Sequence, residues 1–165
     1  FFESEVVPLE VRDHKGNTTT VQQDEQPNRV KPEKFSSLNP AFRSGGTVTA
    51  ATSSPLSDGA AALGLASEAF ADQKGLTPLA KIVGYYSYAH QPALFTTAPV
   101  VAIKKLCERV GWSLSEVDLF EVNEAFALVP MTVMKDLGIP REKMNVHGGA
   151  CVLGHPIGAS GARIV

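Results

Sequence analysis

Apolar residues recur along the second half of the chain in blocks whose spacing predicts alternating strands and helices. Residues 99–110 carry apolar side chains three and four positions apart, which is the pattern of an amphipathic helix. A second helix is expected over 123–137, interrupted by Pro130, because a proline removes one backbone hydrogen bond. Short apolar runs typical of strands occupy 79–88, 119–122 and 144–146. This order predicts a layered α/β domain with some parallel strands.

The first third of the chain has a different pattern, with fewer apolar blocks and more turn-forming residues. Residues 6–11 and 18–22 flank the sequence DHKGN, which favours a hairpin because Gly and Asn tolerate the left-handed angles of a tight turn. Residues 24–40 are polar and include three prolines, so we expect an irregular connection over the surface. A short strand is expected at 47–51.

An alanine- and glycine-rich segment follows and predicts a third helix. Ser57 or Asp58 is a candidate N-cap, and Gly75 is a candidate stop directly after Lys74. Because most side chains between these ends are small, a neighbouring element can approach closely. We therefore expect a central, buried helix over 58–74.

The last segment, NVHGGACVLGHPIGASGARIV (145–165), concentrates five glycines around His155 and Cys151. Glycine loses more conformational freedom on folding than any other residue, so this density indicates a positive φ or a close approach of another group. Pro156 suits the first turn of a helix because its φ is fixed and its missing N–H is not needed there. His155 is therefore expected at the entrance of a helix, with another group passing close by.

Composition limits the class of protein without identifying it. The 165 residues carry a formal net charge of −2 and are 44% hydrophobic, which is sufficient for a core. Acidic and basic residues are mixed, so we expect neither nucleic acid nor a membrane as a partner. The two cysteines are too few for a disulfide framework, which favours a reducing compartment. We expect a cytoplasmic protein, with the mitochondrial matrix as the alternative, and interpret a chain starting at Phe1 as a fragment.

Three kinds of site compete for His147, Cys151 and His155. Imidazole and thiolate bind zinc, but the glycines and Pro156 break the helical face that this spacing would need, so no metal is expected. A nucleophile and base pair of Cys151 with His155 is chemically possible, although catalytic partners usually meet in space rather than in sequence. The third is an oxyanion site in which His155 and the Asn123 amide face a carbonyl oxygen. From spacing alone, this site and a purely structural loop histidine with a helix-capping asparagine stay equally open.

Several motifs in the same order resemble the thiolase family, in particular its acetyl-CoA acetyltransferases. They are GTVTAATSSPLSDGAAA (46–62), VNEAFA (122–127) and NVHGGACVLGHPIGASGAR (145–163), and the likeness covers nearly the whole chain. The resemblance implies a layered αβαβα fold, a mixed sheet flanked by helices, of which only the C-terminal half is largely present. Residues 1–57 would be the end of a loop domain and the last strand of the N-terminal half. Residues 58–165 would be most of the C-terminal half.

The resemblance also implies an activity and assigns roles to four residues. Thiolases form or break the carbon–carbon bond of a 3-ketoacyl-CoA through an acyl-cysteine intermediate. His155 resembles the histidine that activates the nucleophile and donates to the thioester oxygen, and Asn123 the asparagine of the same oxyanion hole. Ser54 and Phe126 resemble residues that contact the pantetheine arm. Coenzyme A thioesters would be substrates, no cofactor is implied, and a homodimer or homotetramer is expected.

The sequence departs from the family pattern at several positions, and these departures limit what the resemblance implies. The nucleophilic cysteine lies upstream and the acid/base cysteine lies in a downstream C-x-G motif; neither is in this sequence, so this chain alone should be inactive. Cys151 falls where relatives carry a small apolar residue and is not assigned as the nucleophile. Pro55 and Ser57 replace Gly and Asn, which leaves chain-length preference open. The alternatives are a longer-chain 3-ketoacyl-CoA thiolase of fatty-acid β-oxidation and a non-catalytic module that binds coenzyme A.

Overall fold

The computed structural model describes residues 2–165, in which five helices and one antiparallel hairpin are joined by irregular segments and 3₁₀ turns. The hairpin strands are β1 (Leu9–Arg12) and β2 (Thr18–Val21). The helices are α1 (Glu68–Lys74), α2 (Ala98–Val110), α3 (Leu128–Leu137), α4 (Ala150–Leu153) and α5 (Ile157–Ile164). No helix among residues 2–165 is both long and apolar enough to cross a membrane.

The predicted hairpin forms at the expected turn. Leu9 pairs with Val21 and Arg12 with Thr18 in an antiparallel register. The Asp13 carboxylate accepts hydrogen bonds from backbone N–H groups within the turn, including that of Asn17 at 2.9 Å. Gly16 takes a φ of 86°, which a side chain would disfavour. Local turn chemistry therefore fixes this register.

The core lies between α2, α3 and a short parallel contact of two chain segments. Phe120 donates its N–H to the Lys143 carbonyl at 2.7 Å, and its own carbonyl accepts from the N–H of Asn145 at 2.9 Å. Val133 on α3 and Met144 have no more than 1% of their surface exposed. The other buried members of this cluster are Phe120, Val122, Val129 and Ile139. The two predicted strands 119–122 and 144–146 are thus reduced to a single parallel pair, Phe120 with Met144.

The helices α2 and α3 match the sequence to different degrees. Helix α2 begins one residue before the predicted start and ends at Val110, and the next residue, Gly111, has a left-handed φ of 74°. The prediction that α3 starts at Asn123 is wrong, because residues 125–127 are tied to another segment and helical geometry begins only at Leu128. The predicted interruption at Pro130 is also wrong. This proline is the third residue of α3, where the missing N–H has no intrahelical partner to lose.

The prediction of a central, buried helix over 58–74 is correct for a helix only in its last seven residues, Glu68–Lys74, and it is wrong about burial. Helix α1 is capped by the Ser67 hydroxyl, which accepts from the N–H of Phe70 at 3.2 Å, and it ends at Gly75 as expected. Residues 58–67 form no regular structure, and Ala71 alone within α1 is buried. Short helices gain most of their stability by packing one face against the rest of the protein. Residues 58–67 are exposed and contain glycine, which disfavours a helix, so this stabilisation is absent.

Two predicted strands are absent, each for a different reason. Residues 79–88 make no ladder, since no strand lies beside them within the described part of the chain, and Leu79 is fully exposed. Residues 47–51 instead lead into a 3₁₀ turn, Ala50–Thr52, that is capped by Thr49. The run at 144–146 ends after one pair because Asn145 adopts a left-handed φ of 45°.

Candidate active site

Segments that lie far apart in the sequence meet beyond the paired residues Phe120 and Met144. Ser54 contacts the 125–127 loop: its N–H and its hydroxyl both donate to the Ala125 carbonyl, each at 3.1 Å. The Ala127 N–H donates to the Thr52 carbonyl at 2.9 Å, so the two segments run antiparallel. This pairing brings Ser54 beside Phe126. Two of the four predicted site residues are therefore neighbours.

The stretch after Ser54 passes directly against the loop that carries His155. A Cβ on Gly59 would lie 2.7 Å from Cγ of Pro156, and a Cβ on Gly154 would lie 2.4 Å from Oγ of Ser57. Both distances are shorter than any ordinary contact, so each position requires glycine. Gly154 also has a φ of 98°. The close approach predicted from the glycine density near His155 is thus confirmed, and Ser57 and Pro156 are among the groups involved.

His155 and Asn123 lie together at the centre of these segments. The distance from Asn123 Nδ2 to His155 Nε2 is 3.2 Å, across 32 positions of sequence. On the other side of the ring, His155 Nδ1 lies 2.6 Å from the Ser160 hydroxyl, which is 94% buried. Ser160 in turn donates to the Pro156 carbonyl at 3.1 Å, at the start of α5. The imidazole is therefore held at both nitrogens.

These contacts favour one neutral tautomer of His155. An amide nitrogen only donates hydrogen bonds, so with Asn123 Nδ2 facing the ring, Nε2 is assigned as the acceptor. Because the Ser160 hydroxyl donates to a carbonyl, it accepts from Nδ1–H. The neutral imidazole thus presents a lone pair on Nε2, which is the form that a general base needs.

Cys151 lies near the site but does not pair with His155. Its thiol is directed at the Glu124 carbonyl oxygen, with Sγ 3.6 Å away. Burial, followed by the charge of the neighbouring Glu124, raises the pKa of the Cys151 thiol to about 11. A nucleophilic cysteine needs the opposite shift. The nucleophile and base pair that the spacing left open is therefore contradicted, because the thiol has another partner and stays protonated at neutral pH.

His147 lies apart from the other two members of its sequence cluster. Its exposed ring meets Phe2 edge-on, with centroids 6.4 Å apart. Within residues 2–165, no three histidine, cysteine or carboxylate side chains come together as a metal-binding group. Cys107, the other cysteine, lies on α2 and is partly buried, and burial raises the pKa of its thiol.

The sequence did not indicate the importance of Glu124 and Asn145. Asn145 is 97% buried, and its side chain bonds to both backbone groups of Val122, accepting from N–H at 2.7 Å and donating to the carbonyl at 2.9 Å. The Glu124 carboxylate accepts from Asn145 Nδ2 at 2.7 Å and from the Cys151 N–H at 3.2 Å. The sequence feature that could have pointed to Glu124 is its position directly after Asn123, between a strand-like run and a helix.

Phe126 presents one ring edge to a second aromatic residue. Phe95 lies in the 3₁₀ segment before α2, and the two ring centroids are 6.3 Å apart at an angle of 63°. Phe126 is half-buried, while half of the Phe95 surface is exposed. Edge-to-face pairs of this kind are favourable and leave one ring face open. The pair forms an apolar wall next to Ser54 and the Asn123 loop.

Sequence profiles of one family account for nearly all of the chain. The profile described as "Thiolase, N-terminal domain" matches residues 1–69, and the profile described as "Thiolase, C-terminal domain" matches residues 76–165. The second match alone covers more than half of the chain. The chain belongs to the thiolase family.

Individual relatives agree with this membership. "Acetyl-CoA acetyltransferase 2" of Arabidopsis thaliana is 50% identical over 99% of the chain and 41% of the relative. The crystal structure of the Bacillus anthracis acetyl-CoA acetyltransferase superposes with a TM-score of 0.93 at 45% identity, over 99% of this chain and 41% of that one. An Ascaris suum thiolase, Acat5, crystallised with coenzyme A, gives 0.86 at 36% identity over 99% and 41%.

These matches show that the chain corresponds to only part of a thiolase. The chain spans about 40% of the length of the curated relatives it matches. Its path follows the thiolase fold, so the α/β class expected from the sequence is confirmed as a partial fold of helices and sheet.

Proposed function

We propose that a full-length enzyme carrying this sequence condenses two acetyl-CoA molecules to acetoacetyl-CoA and CoA, or runs the reverse thiolysis. The reaction would be acyl transfer with carbon–carbon bond formation or cleavage through an acyl-cysteine intermediate. One observation carries the proposal: His155 Nε2 lies 3.2 Å from the Asn123 amide nitrogen, and Ser160 is bonded to the other ring nitrogen. Relatives named acetyl-CoA acetyltransferase support the choice of acetyl-CoA as substrate.

His155 would act first as a base and then as a donor. Nε2 takes the proton of a cysteine thiol, and the thiolate attacks the thioester carbon. The imidazolium that results carries an N–H at Nε2, which donates to the oxygen where negative charge develops. When this adduct collapses, the carbon–sulfur bond to CoA breaks and CoA leaves as the thiol with the proton from Nε2, so that acyl-cysteine remains. The Ser160 hydroxyl supports both forms, because Nδ1 remains protonated throughout. The thiol itself would come from a residue outside this chain, as the family motif implies.

Asn123 would stabilise the same negative charge. Its amide nitrogen carries two hydrogens, and the bond to His155 uses one of them. Once Nε2 is protonated it can no longer accept, so this amide N–H is released toward the substrate oxygen or a water bound to it. Neutral, preorganised donors of this kind favour the transition state over the ground state. The proposed Claisen chemistry needs such donors because it generates an enolate.

Ser54 and Phe126 would contact the pantetheine arm of the substrate. Ser54 lies on the segment paired with residues 125–127, and Phe126 with Phe95 offers apolar surface to a flexible, weakly polar chain. Coenzyme A enters as part of the substrate, in line with the Ascaris suum thiolase crystallised with it. No separate cofactor is required by this chemistry.

Two other functions make different predictions for the same assay. A longer-chain 3-ketoacyl-CoA thiolase would cleave C8 or longer 3-ketoacyl-CoA faster than acetoacetyl-CoA. A non-catalytic module would bind coenzyme A without turnover. The test is CoA-dependent thiolysis by a full-length enzyme carrying this sequence, with acetoacetyl-CoA and a longer substrate compared at equal concentration. Higher kcat/KM with acetoacetyl-CoA is expected; absence of turnover with both would refute the proposal.

The remaining expectations belong to the same proposal. Residues 1–57 would end a loop domain and the N-terminal half, and residues 58–165 would form most of the C-terminal half. The enzyme would be a homodimer or homotetramer of the cytoplasm, with the mitochondrial matrix as the alternative compartment. Sedimentation of the full-length protein would test the assembly.

A further inference from the structure

The Glu124 carboxylate joins two parts of the site that are distant in sequence. One oxygen accepts from Asn145 Nδ2 at 2.7 Å, and the other accepts from the N–H of Cys151 at 3.2 Å. Cys151 is the second residue of α4, whose own N-cap, Gly149, has no side chain to offer. The carboxylate therefore serves as the missing cap of this short helix. A negative charge is favourable at that end.

The fit around the carboxylate is tight. A Cβ on Gly149 would lie 2.1 Å from Cδ of Glu124 and 2.3 Å from either oxygen. The φ of Gly149 is −137°, which any residue can adopt, so glycine is needed here for space alone. The carboxylate thus rests directly on the backbone where α4 begins.

Glu124 lies next to Asn123 in sequence, and the short helix that it caps leads to His155. It follows Asn123 in sequence, and α4, which it caps, runs from Ala150 to Leu153 and leads through Gly154 into His155. On the opposite side, Asn145 binds both backbone groups of Val122, the residue before Asn123. The backbone that carries Asn123 is therefore anchored on both sides, and one anchor is shared with the helix that leads to His155.

We propose that Glu124 is a positioning residue that holds Asn123 at hydrogen-bonding distance from Nε2 of His155. The proposal rests on the function proposed above. It predicts that loss of the carboxylate lets α4 and the Asn123 loop shift relative to each other. Misplacement of a reacting group by about 1 Å can reduce a rate by roughly 10²-fold. Substrate binding at Ser54 and Phe126 would change little, because their contacts do not involve Glu124.

The test is Glu124→Gln in the full-length enzyme. Glutamine keeps the shape, but its NH₂ cannot accept a hydrogen bond, so Asn145 or the Cys151 N–H loses its partner. We expect kcat for acetoacetyl-CoA thiolysis to fall roughly 10–100-fold, while KM stays within about 3-fold. Glu116→Gln is the matched control, since Glu116 also accepts from a backbone N–H, that of Ser113 at 2.7 Å, on the exposed surface.

A double-mutant cycle separates positioning from general destabilisation. If Glu124 acts through Asn123, adding Glu124→Gln to Asn123→Ala should reduce kcat little further. Gly149→Ala gives an independent perturbation, because it displaces the carboxylate while every hydrogen-bonding group remains. It should reproduce the fall in kcat, and it replaces Glu124→Gln if that variant does not fold. Normal kcat in a folded variant, or fully additive losses in the cycle, would overturn the proposal.

An NMR measurement on His155 tests the positioning role of Glu124 separately from the proposed thiolase activity. The ¹⁵N shifts of the His155 imidazole should report protonated Nδ1 and hydrogen-bonded Nε2, and Glu124→Gln should weaken the Nε2 bond. Unchanged shifts in that variant would overturn the positioning role, whether or not the enzyme turns over. Absence of thiolysis by the unmodified enzyme would instead refute the proposed function alone.

Discussion

Asn123→Ala removes a side chain that contacts His155 and that, in the proposed mechanism, also donates to the substrate oxygen. In the full-length enzyme, loss of one oxyanion donor should lower kcat by roughly 10²–10³-fold, equivalent to about 2.7–4 kcal/mol of transition-state stabilisation. KM should change little, because the donor acts on charge that is absent from the ground state.

The structure limits how much stability this change can cost. Asn123 is not the cap of α3, which begins at Leu128, and its side chain bonds to His155 at 3.2 Å. One neutral hydrogen bond contributes about 1 kcal/mol to stability, so the unfolding midpoint should shift only slightly. The effect on turnover should therefore exceed the effect on folding by a wide margin.

The assay is acetoacetyl-CoA thiolysis beside a denaturant melt of each variant. Asn17→Ala is the control, because the Asn17 amide donates within the exposed hairpin turn, to Asp13 at 2.9 Å. His155→Ala should be more severe than Asn123→Ala, and the double variant should lose much less than the sum of the two. Near-normal turnover of Asn123→Ala together with a large loss of stability would refute the oxyanion role.

Further predictions concern Ser160, Cys151 and metal content. Ser160→Ala removes the acceptor of the His155 Nδ1–H and should lower kcat by roughly 5–10-fold, which corresponds to the loss of one hydrogen bond of about 1 kcal/mol. The control variant Ser115→Ala, at an exposed serine, should leave kcat unchanged. Because the pKa of Cys151 is raised to about 11, its alkylation should be slow at pH 7–9 and accelerate only as pH rises toward that value; fast alkylation at pH 7 would contradict its burial. This chain of 165 residues alone should form no acetyl-thioester with acetyl-CoA, and stoichiometric acetylation at Cys151 would overturn its structural assignment. Elemental analysis should find no tightly bound zinc; one equivalent, lost on chelation together with folding, would contradict this.

Local chemistry explains which elements the sequence could predict. Helix α2 and the β1–β2 hairpin follow from periodicity and turn residues that act within a few positions, and both formed as expected. The helix expected over 58–74 has suitable composition, but only Glu68–Lys74 is helical, since composition does not reveal whether a packing partner exists. The start of α3 was misplaced because residues 125–127 pair with a segment more than 70 positions away.

The candidate site shows the same division between local and distant causes. Spacing alone left the pairing of Asn123 with His155 open and the resemblance to thiolases favoured it; the structure brings the two side chains to 3.2 Å. Glu124 and Asn145 could not be found this way, because their hydrogen bonds span 21 to 27 positions and depend on a left-handed φ at an asparagine. Glycine density indicated a crowded loop correctly, but the groups that crowd it became visible only in the fold.

Acyl transfer to a cysteine is the step in which His155 must act as a base, so its rate tests the account most directly. The measurement is rapid-quench mass spectrometry of a full-length enzyme carrying this sequence, mixed with acetyl-CoA. We expect one acetyl group per chain, on a cysteine other than Cys107 or Cys151. In His155→Ala this group should form at least ~10³-fold more slowly, because removing the base from a nucleophile–base pair causes losses of this order. Equal rates in the two proteins would contradict the role of His155.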